Sequence, residues 1–156
     1  MSRRLIRETV FSILFQVDLG RSHWRDVLEY TLAESEFPEN SISFLTELVS
    51  GTIQHLKEID TEITRFSEGW KLERMASTDR NILRMAVYEI KYRDDIPPGV
   101  SVNEAVDLAK KFGDEESGKF VNGILGNLVR TLNIDGKKAS FPPEKNSPGV
   151  TDDSRN

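Results

Sequence analysis

Apolar side chains recur at steps of three and four along most of this chain, the spacing that lines one face of an α-helix. Over residues 3–19, Ile6, Val10, Ile13 and Val17 form such a face together with Thr9, while Arg4, Arg7, Phe11, Phe15 and Asp18 fall along a second. A helix with two marked faces is either central in its fold or keeps one face for a partner. Phe11 reads as core. Phe15, beside polar Gln16 and Asp18, reads equally as core or as interface. Gly20 ends this helix, and Ser22 can cap a second that turns Trp24, Val27, Leu28, Thr31 and Leu32 inward. Beyond a loop at 37–40, Ile42, Leu45, Val49, Ile53, Leu56, Ile59, Ile63 and Phe66 keep the helical period, predicting one long helix over about 41–66. Gly51 inside it costs up to about 1 kcal/mol relative to alanine. That points to a kink or a close helix contact at Gly51.

The second half follows the same rule. Glu68, Gly69 and Trp70 form a break, and residues 71–76 suit a single helical turn with Trp70 and Leu72 as plugs. Ser77 or Thr78 can cap a helix over about 78–92, with Ile82, Leu83, Met85, Ala86 and Ile90 on its apolar side. Pro97, Pro98 and Gly99 predict a turn. Ser101 and Glu104 have capping-box spacing, so the next helix should begin there. Gly113 can end it in the left-handed conformation. A last helix over about 115–133 holds Gly118, Gly123 and Gly126, which suggests backbone-close packing. No segment alternates as a strand does. The reading is all-α, six or seven helices, divided near residues 67–76 into subdomains of about 1–67 and 77–134. Residues 135–156, rich in Pro, Ser, Lys and Gly, read as a disordered tail.

Composition narrows the chemistry. The 156 residues contain no cysteine, which excludes disulfides, thiol catalysis and cysteine-bound metal. No apolar run approaches the length of a membrane span, and the N-terminus lacks a signal-peptide core, so a cytoplasmic protein is expected. His23 and His55 lie far apart without a ligand pattern, so no metal or cofactor is implied. The net charge of −5 disfavours indiscriminate binding of nucleic acid. Charge is unevenly spread, however: residues 1–25 carry Arg3, Arg4, Arg7, Arg21 and Arg25 against Glu8 and Asp18. Cations at a helix start oppose the helix dipole, which favours a functional reason for Arg3, Arg4 and Arg7.

A second candidate is the corner between the last two predicted helices, where Lys110, Lys111, Lys119 and Phe120 crowd together. Cations beside an aromatic ring suit a single-stranded nucleic acid, whose phosphates meet the lysines while a base stacks on the ring. The same stretch nearly spells a phosphate-binding loop, with Gly113, Gly118 and Lys119 correctly spaced. Phe120 then stands where a Ser or Thr must hold magnesium, and a helix precedes the motif instead of a strand. Asp114, Glu115 and Glu116 would also face the nucleotide phosphates, so the stretch reads as an interhelical turn with an acidic first turn. Arg80 and Arg84 share a helix face and read as surface charge, or Arg84 as a partner for acids near Glu89. Asn103 and Asn122 read as interhelical hydrogen-bonding groups.

Taken in order, Arg3-Arg4 through Arg7 and Phe15, Trp70-Lys71-Leu72-Glu73-Arg74, Asp79-Arg80 and Tyr88-Glu89 form one recognisable series. It continues through Asp95-Ile96-Pro97, Val102-Asn103-Glu104-Ala105, Leu108-Ala109-Lys110 and Lys119-Phe120-Val121-Asn122-Gly123-Ile124-Leu125. With this series the chain resembles the NusB family of transcription antitermination factors, up to about residue 133. The resemblance implies two packed three-helix bundles and no catalysis. It implies binding of the single-stranded boxA element of nascent ribosomal RNA, as a heterodimer with the ribosomal protein NusE. That complex would join RNA polymerase with other Nus factors. On the RNA side the resemblance points to Arg7 with its arginine neighbours, Glu116, Lys119 and Phe120; on the NusE side, to Phe15, Asp79 and Glu73.

Two other readings compete. NusB-like domains also occur fused to RNA cytosine methyltransferases, but those use catalytic cysteines and this chain has none. A protein scaffold without RNA contact is the third. A homodimer through the Arg4, Arg7, Phe11 and Phe15 face is a further expectation.

Overall fold

A computed structural model of the chain describes residues 1–135. The expected tail lies, apart from Asp135, outside the described residues. Among those residues are seven α-helices and no strand: α1 Arg3–Gly20, α2 Trp24–Glu34, α3 Glu39–Gln54, α4 Leu56–Phe66, α5 Ser77–Tyr92, α6 Pro98–Phe112 and α7 Glu115–Asp135. A 3-10 turn at Leu72–Arg74 joins α4 to α5. The all-α expectation therefore holds. No helix among the described residues is long and apolar enough to cross a membrane.

Helix α5 organises the rest. Every residue from Asp79 to Lys91 except Arg84 is buried, with Ile82, Leu83, Met85, Ala86, Val87 and Ile90 as its apolar part. A helix buried on nearly every side must be covered on nearly every side, and α5 packs against α1, α3, α4, α6 and α7. The closest approach is at Gly51 of α3, where a Cβ would lie 2.3 Å from the Tyr88 ring. The long helix predicted over 41–66 is in fact two. His55 breaks it with φ −106° and ψ 20°, its Nδ1 lying 2.9 Å from the Gly51 carbonyl oxygen. Gly51 thus serves the close contact, and the break falls one turn later.

Local signals were overridden at several helix ends. α2 is capped by His23, whose Nδ1 accepts from the Arg25 N–H, and not by Ser22. α5 starts at Ser77 without a side-chain cap. α6 starts at Pro98, three residues before Ser101. Proline suits a first helical position, because its fixed φ is already helical and its missing N–H has no helical partner to lose. Ser101 is buried instead, and its hydroxyl donates to Glu89 at 2.8 Å. Gly113 does end α6, but at φ −117° and ψ −113° rather than in the left-handed region. Its glycine is explained by space: a Cβ would lie 2.5 Å from Ser117 Oγ and 2.8 Å from the Ala109 carbonyl oxygen. Close packing also accounts for Gly118, whose Cβ would meet Lys110 Cγ at 2.8 Å, but not for Gly123, which faces open space. Asn103 and Asn122 are exposed rather than buried between helices.

Candidate functional site

The N-terminal arginines do not form one patch. Arg3 and Arg4 are exposed, whereas Arg7 is only 4% exposed and faces inward. Its Nε and Nη2 donate to the two carboxylate oxygens of Glu89 at 2.7 and 2.8 Å. Arg4 donates to Glu104 at 3.1 and 2.9 Å and to Asp107 at 2.6 Å. The Arg3 guanidinium stands 4.2 Å above the centre of the Phe44 ring. Lys111 is drawn to the same side, donating to Glu8 at 2.8 Å. Phe11 is buried between Phe15 and Phe112, with ring centres 5.8 and 5.1 Å away. The second face of α1 is therefore covered largely by α5 and α6 of the same chain. Of the face that motivated self-pairing, Arg7 and Phe11 are taken up internally, while Arg4 stays exposed and Phe15 half-buried.

Lower on α1, Asp18 gathers another network. Arg80 donates to it at 2.9 and 2.6 Å, and Asn81 at 3.0 Å. Burial pushes the Asp18 carboxyl up, but these donors and the Arg80 and Arg84 charges outweigh it, holding the group below the ordinary carboxylate range. Arg84 pairs with Asp60 at 2.9 and 3.0 Å, not with acids near Glu89. Arg80 also donates to the Leu72 and Met75 carbonyl oxygens, each at 3.2 Å, which fixes the 3-10 turn carrying exposed Glu73. One residue earlier, Asp79 is 8% exposed, and its Oδ1 has no hydrogen-bond partner among the described residues. Burial raises its pKa, the Ser117 hydroxyl moderates that, and the Asp114 charge adds to it. Phe15 is half-buried beside Phe11.

The α6–α7 corner is built differently. Asp114 accepts from the Ser117 N–H at 2.8 Å and secures the start of α7. Lys119, on the first turns of that helix, is 74% exposed. Its ammonium lies 3.6 Å from Glu116, itself 83% exposed. A pair so open to water contributes little and separates easily. The stem of Lys110 crosses Gly118. Phe120 is half-buried and turns toward Trp70, the two rings meeting edge to face with centres 6.0 Å apart. Trp70 is 56% exposed, so it is no plug. Both rings line a cleft of about 220 Å³, together with Phe66, Lys119, Ile124 and Asn127 among others. The structure thus brings Lys110, Glu116, Lys119 and Phe120 to one corner, and keeps Arg4 and Arg7 on α1, to which Lys111 reaches back from α6. Trp70 was missed as a surface group; its place beside a Glu-Gly break was the available signal. Chemically, the corner offers a mobile cation and two ring faces. Among the described residues no group of His, Asp and Glu could hold a metal ion.

The NusB family model matches residues 4–130. A transcription antitermination protein NusB of Desulfitobacterium hafniense is 47% identical over 142 residues, covering 90% of this chain and 96% of that protein. The solved structure of T. maritima NusB superposes with a TM-score of 0.79 at 38% identity, over 83% of this chain and 92% of that one. A crystal structure of the antitermination factors NusB and NusE in complex with dsRNA matches with a TM-score of 0.76 at 29% identity, over 84% of this chain and 99% of its counterpart.

Proposed function

The chain belongs to the NusB family, and from that premise we propose that it binds the boxA element of nascent ribosomal RNA as a heterodimer with the ribosomal protein NusE. The heterodimer then joins RNA polymerase and other Nus factors to suppress termination. The chain acts as an adaptor, without catalysis. The observation that carries this reading is the exposed Lys119 beside the half-open Phe120 ring, a cation and a stacking surface on one helix turn. Arg3, Arg4 and Lys110 extend the cationic border, and Glu116 releases Lys119 when a phosphate arrives. Arg7, tied to Glu89 in the interior, holds α1 against α5 rather than meeting phosphate. Lys111, paired with Glu8, also braces α1. Phe15, Asp79 and Glu73 serve NusE, with the orphaned Asp79 oxygen waiting for a donor. The two halves, about 1–67 and 77–134, meet along α5.

A gel-shift titration with a short boxA RNA, with and without NusE, tests the proposal. We expect NusE to tighten RNA binding, and binding to weaken steeply with salt as phosphate contacts release counterions. NusE binding with no gain in RNA affinity would instead favour a scaffold.

A further inference from the structure

Trp70 is the largest exposed aromatic side chain outside the residues assigned above, and its position is built. The Trp70 N–H donates to the Ser67 carbonyl oxygen at 3.1 Å, and the Ser67 hydroxyl lies 2.8 Å from the Trp70 carbonyl oxygen. The turn needs Gly69 at φ +92°, and even Glu68 takes φ +51°. Such backbone conformations persist only where the surroundings hold them. The result is a rigid presentation of an indole that is more than half exposed. Exposed single aromatics are ordinary; an exposed indole set edge to face against a second ring, over an open cleft, is not.

We infer that Trp70 and Phe120 together form a nucleobase site, in which one unpaired base lies in the open cleft that both rings line. This rests on the proposed RNA binding and deepens it by naming the residue that completes the site. The cleft of about 220 Å³ is lined by apolar Phe66 and Ile124 and by the Asn127 amide at its far side. That lining suits a flat ring with polar edges. Lys119 lines the cleft, and exposed Lys71 and Arg74 line a second depression that also includes Trp70. A base in the cleft therefore has Lys119 beside it for one flanking phosphate, with Lys71 and Arg74 in the neighbouring depression for the next. Stacking on an aromatic ring is tolerant of base identity, so this site adds affinity, and any selectivity comes from Asn127.

The test uses the full chain bound to NusE and a short boxA RNA, in a Trp24→Phe background that leaves Trp70 as the one indole. RNA should quench Trp70 emission. Trp70→Ala should weaken RNA binding by roughly fivefold to a hundredfold, the range expected for a lost stacking platform, and Trp70→Phe should restore most of it. NusE affinity should not change. Replacing successive nucleotides by abasic ones should find one position at which Trp70→Ala no longer matters. Unchanged Trp70 emission and unchanged RNA affinity in Trp70→Ala, with Phe120→Ala still impaired, would overturn the inference while leaving the RNA reading intact. Loss of NusE binding in Trp70→Ala would make the ring pair a protein contact and also overturn it. No RNA binding by any variant or the parent would remove both readings.

Discussion

The α1 face and the α6–α7 corner carry similar residue types and put them to opposite uses. On the α1 face, Arg7, Arg4 and, from α6, Lys111 each meet a carboxylate within 2.9 Å, and Phe11 lies in the core. At the corner, Lys119 reaches Glu116 only across 3.6 Å of solvent-exposed space, and Phe120 stops halfway to the interior. For Arg7 and Phe11 the difference is burial, whereas Arg4 and Lys111 are themselves more than half exposed. A buried pair cannot let go of one member without stranding the other in a medium of low dielectric. An exposed pair separates at little cost. Arg7, a cation of the first kind, holds the fold, and Lys119, one of the second, remains available to a ligand.

The contrast is sharpest at Arg7. Arg7→Met leaves the Glu89 carboxylate buried with only Ser101 as donor, and we expect a loss of about 3–5 kcal/mol of stability in urea unfolding. Adding Glu89→Leu should recover much of it. If Arg7→Met unfolds like the parent and loses RNA affinity instead, the division between the two regions fails. A pair of aromatic truncations separates the regions next. Phe11→Ala should destabilise the fold by about 3–5 kcal/mol with little direct effect on binding. Phe120→Ala should cost about 1–3 kcal/mol of RNA affinity while circular dichroism shows an intact fold.

Asp79 lies between these extremes, a buried carboxylate that lacks a complete set of partners. Asp79→Asn should raise the stability of the free chain by about 1 kcal/mol at neutral pH and weaken NusE binding, checked by unfolding and by calorimetry. The sign follows from its raised pKa. Folding disfavours the charged form, so the advantage of the variant exists above the folded pKa and closes as pH falls through it. Asp18 behaves in the reverse sense. Its depressed pKa supplies stability above the ordinary carboxylate pKa that is lost as pH falls through the folded value. The smallest effect belongs to Lys119→Gln, which should reduce the salt slope of RNA binding by about one with no change in melting temperature.

Hydrophobic period was enough to read the helices and most of the core, because α5 and its neighbours repeat apolar residues at every turn. It failed where two local rules competed. The Ser101–Glu104 spacing suggested a helix start, but Pro97–Pro98 had already begun the helix, and Ser101 was needed by buried Glu89. Arg7 and Lys119 look alike as residue types. Only the packing of α1 between α5 and α6 shows which cation is enclosed. Arg80 and Arg84 read as surface charges because their partners Asp18 and Asp60 are distant in sequence. Trp70 read as a plug because a large indole after a break usually packs inward. The strained turn at Glu68–Gly69 holds it outward instead.

The most direct measurement is equilibrium binding of a boxA RNA to the NusE complex of Lys119→Ala/Phe120→Ala, beside the parent at one salt concentration. The account predicts an intact complex whose RNA affinity falls by at least about tenfold. Equal affinity in variant and parent would contradict it.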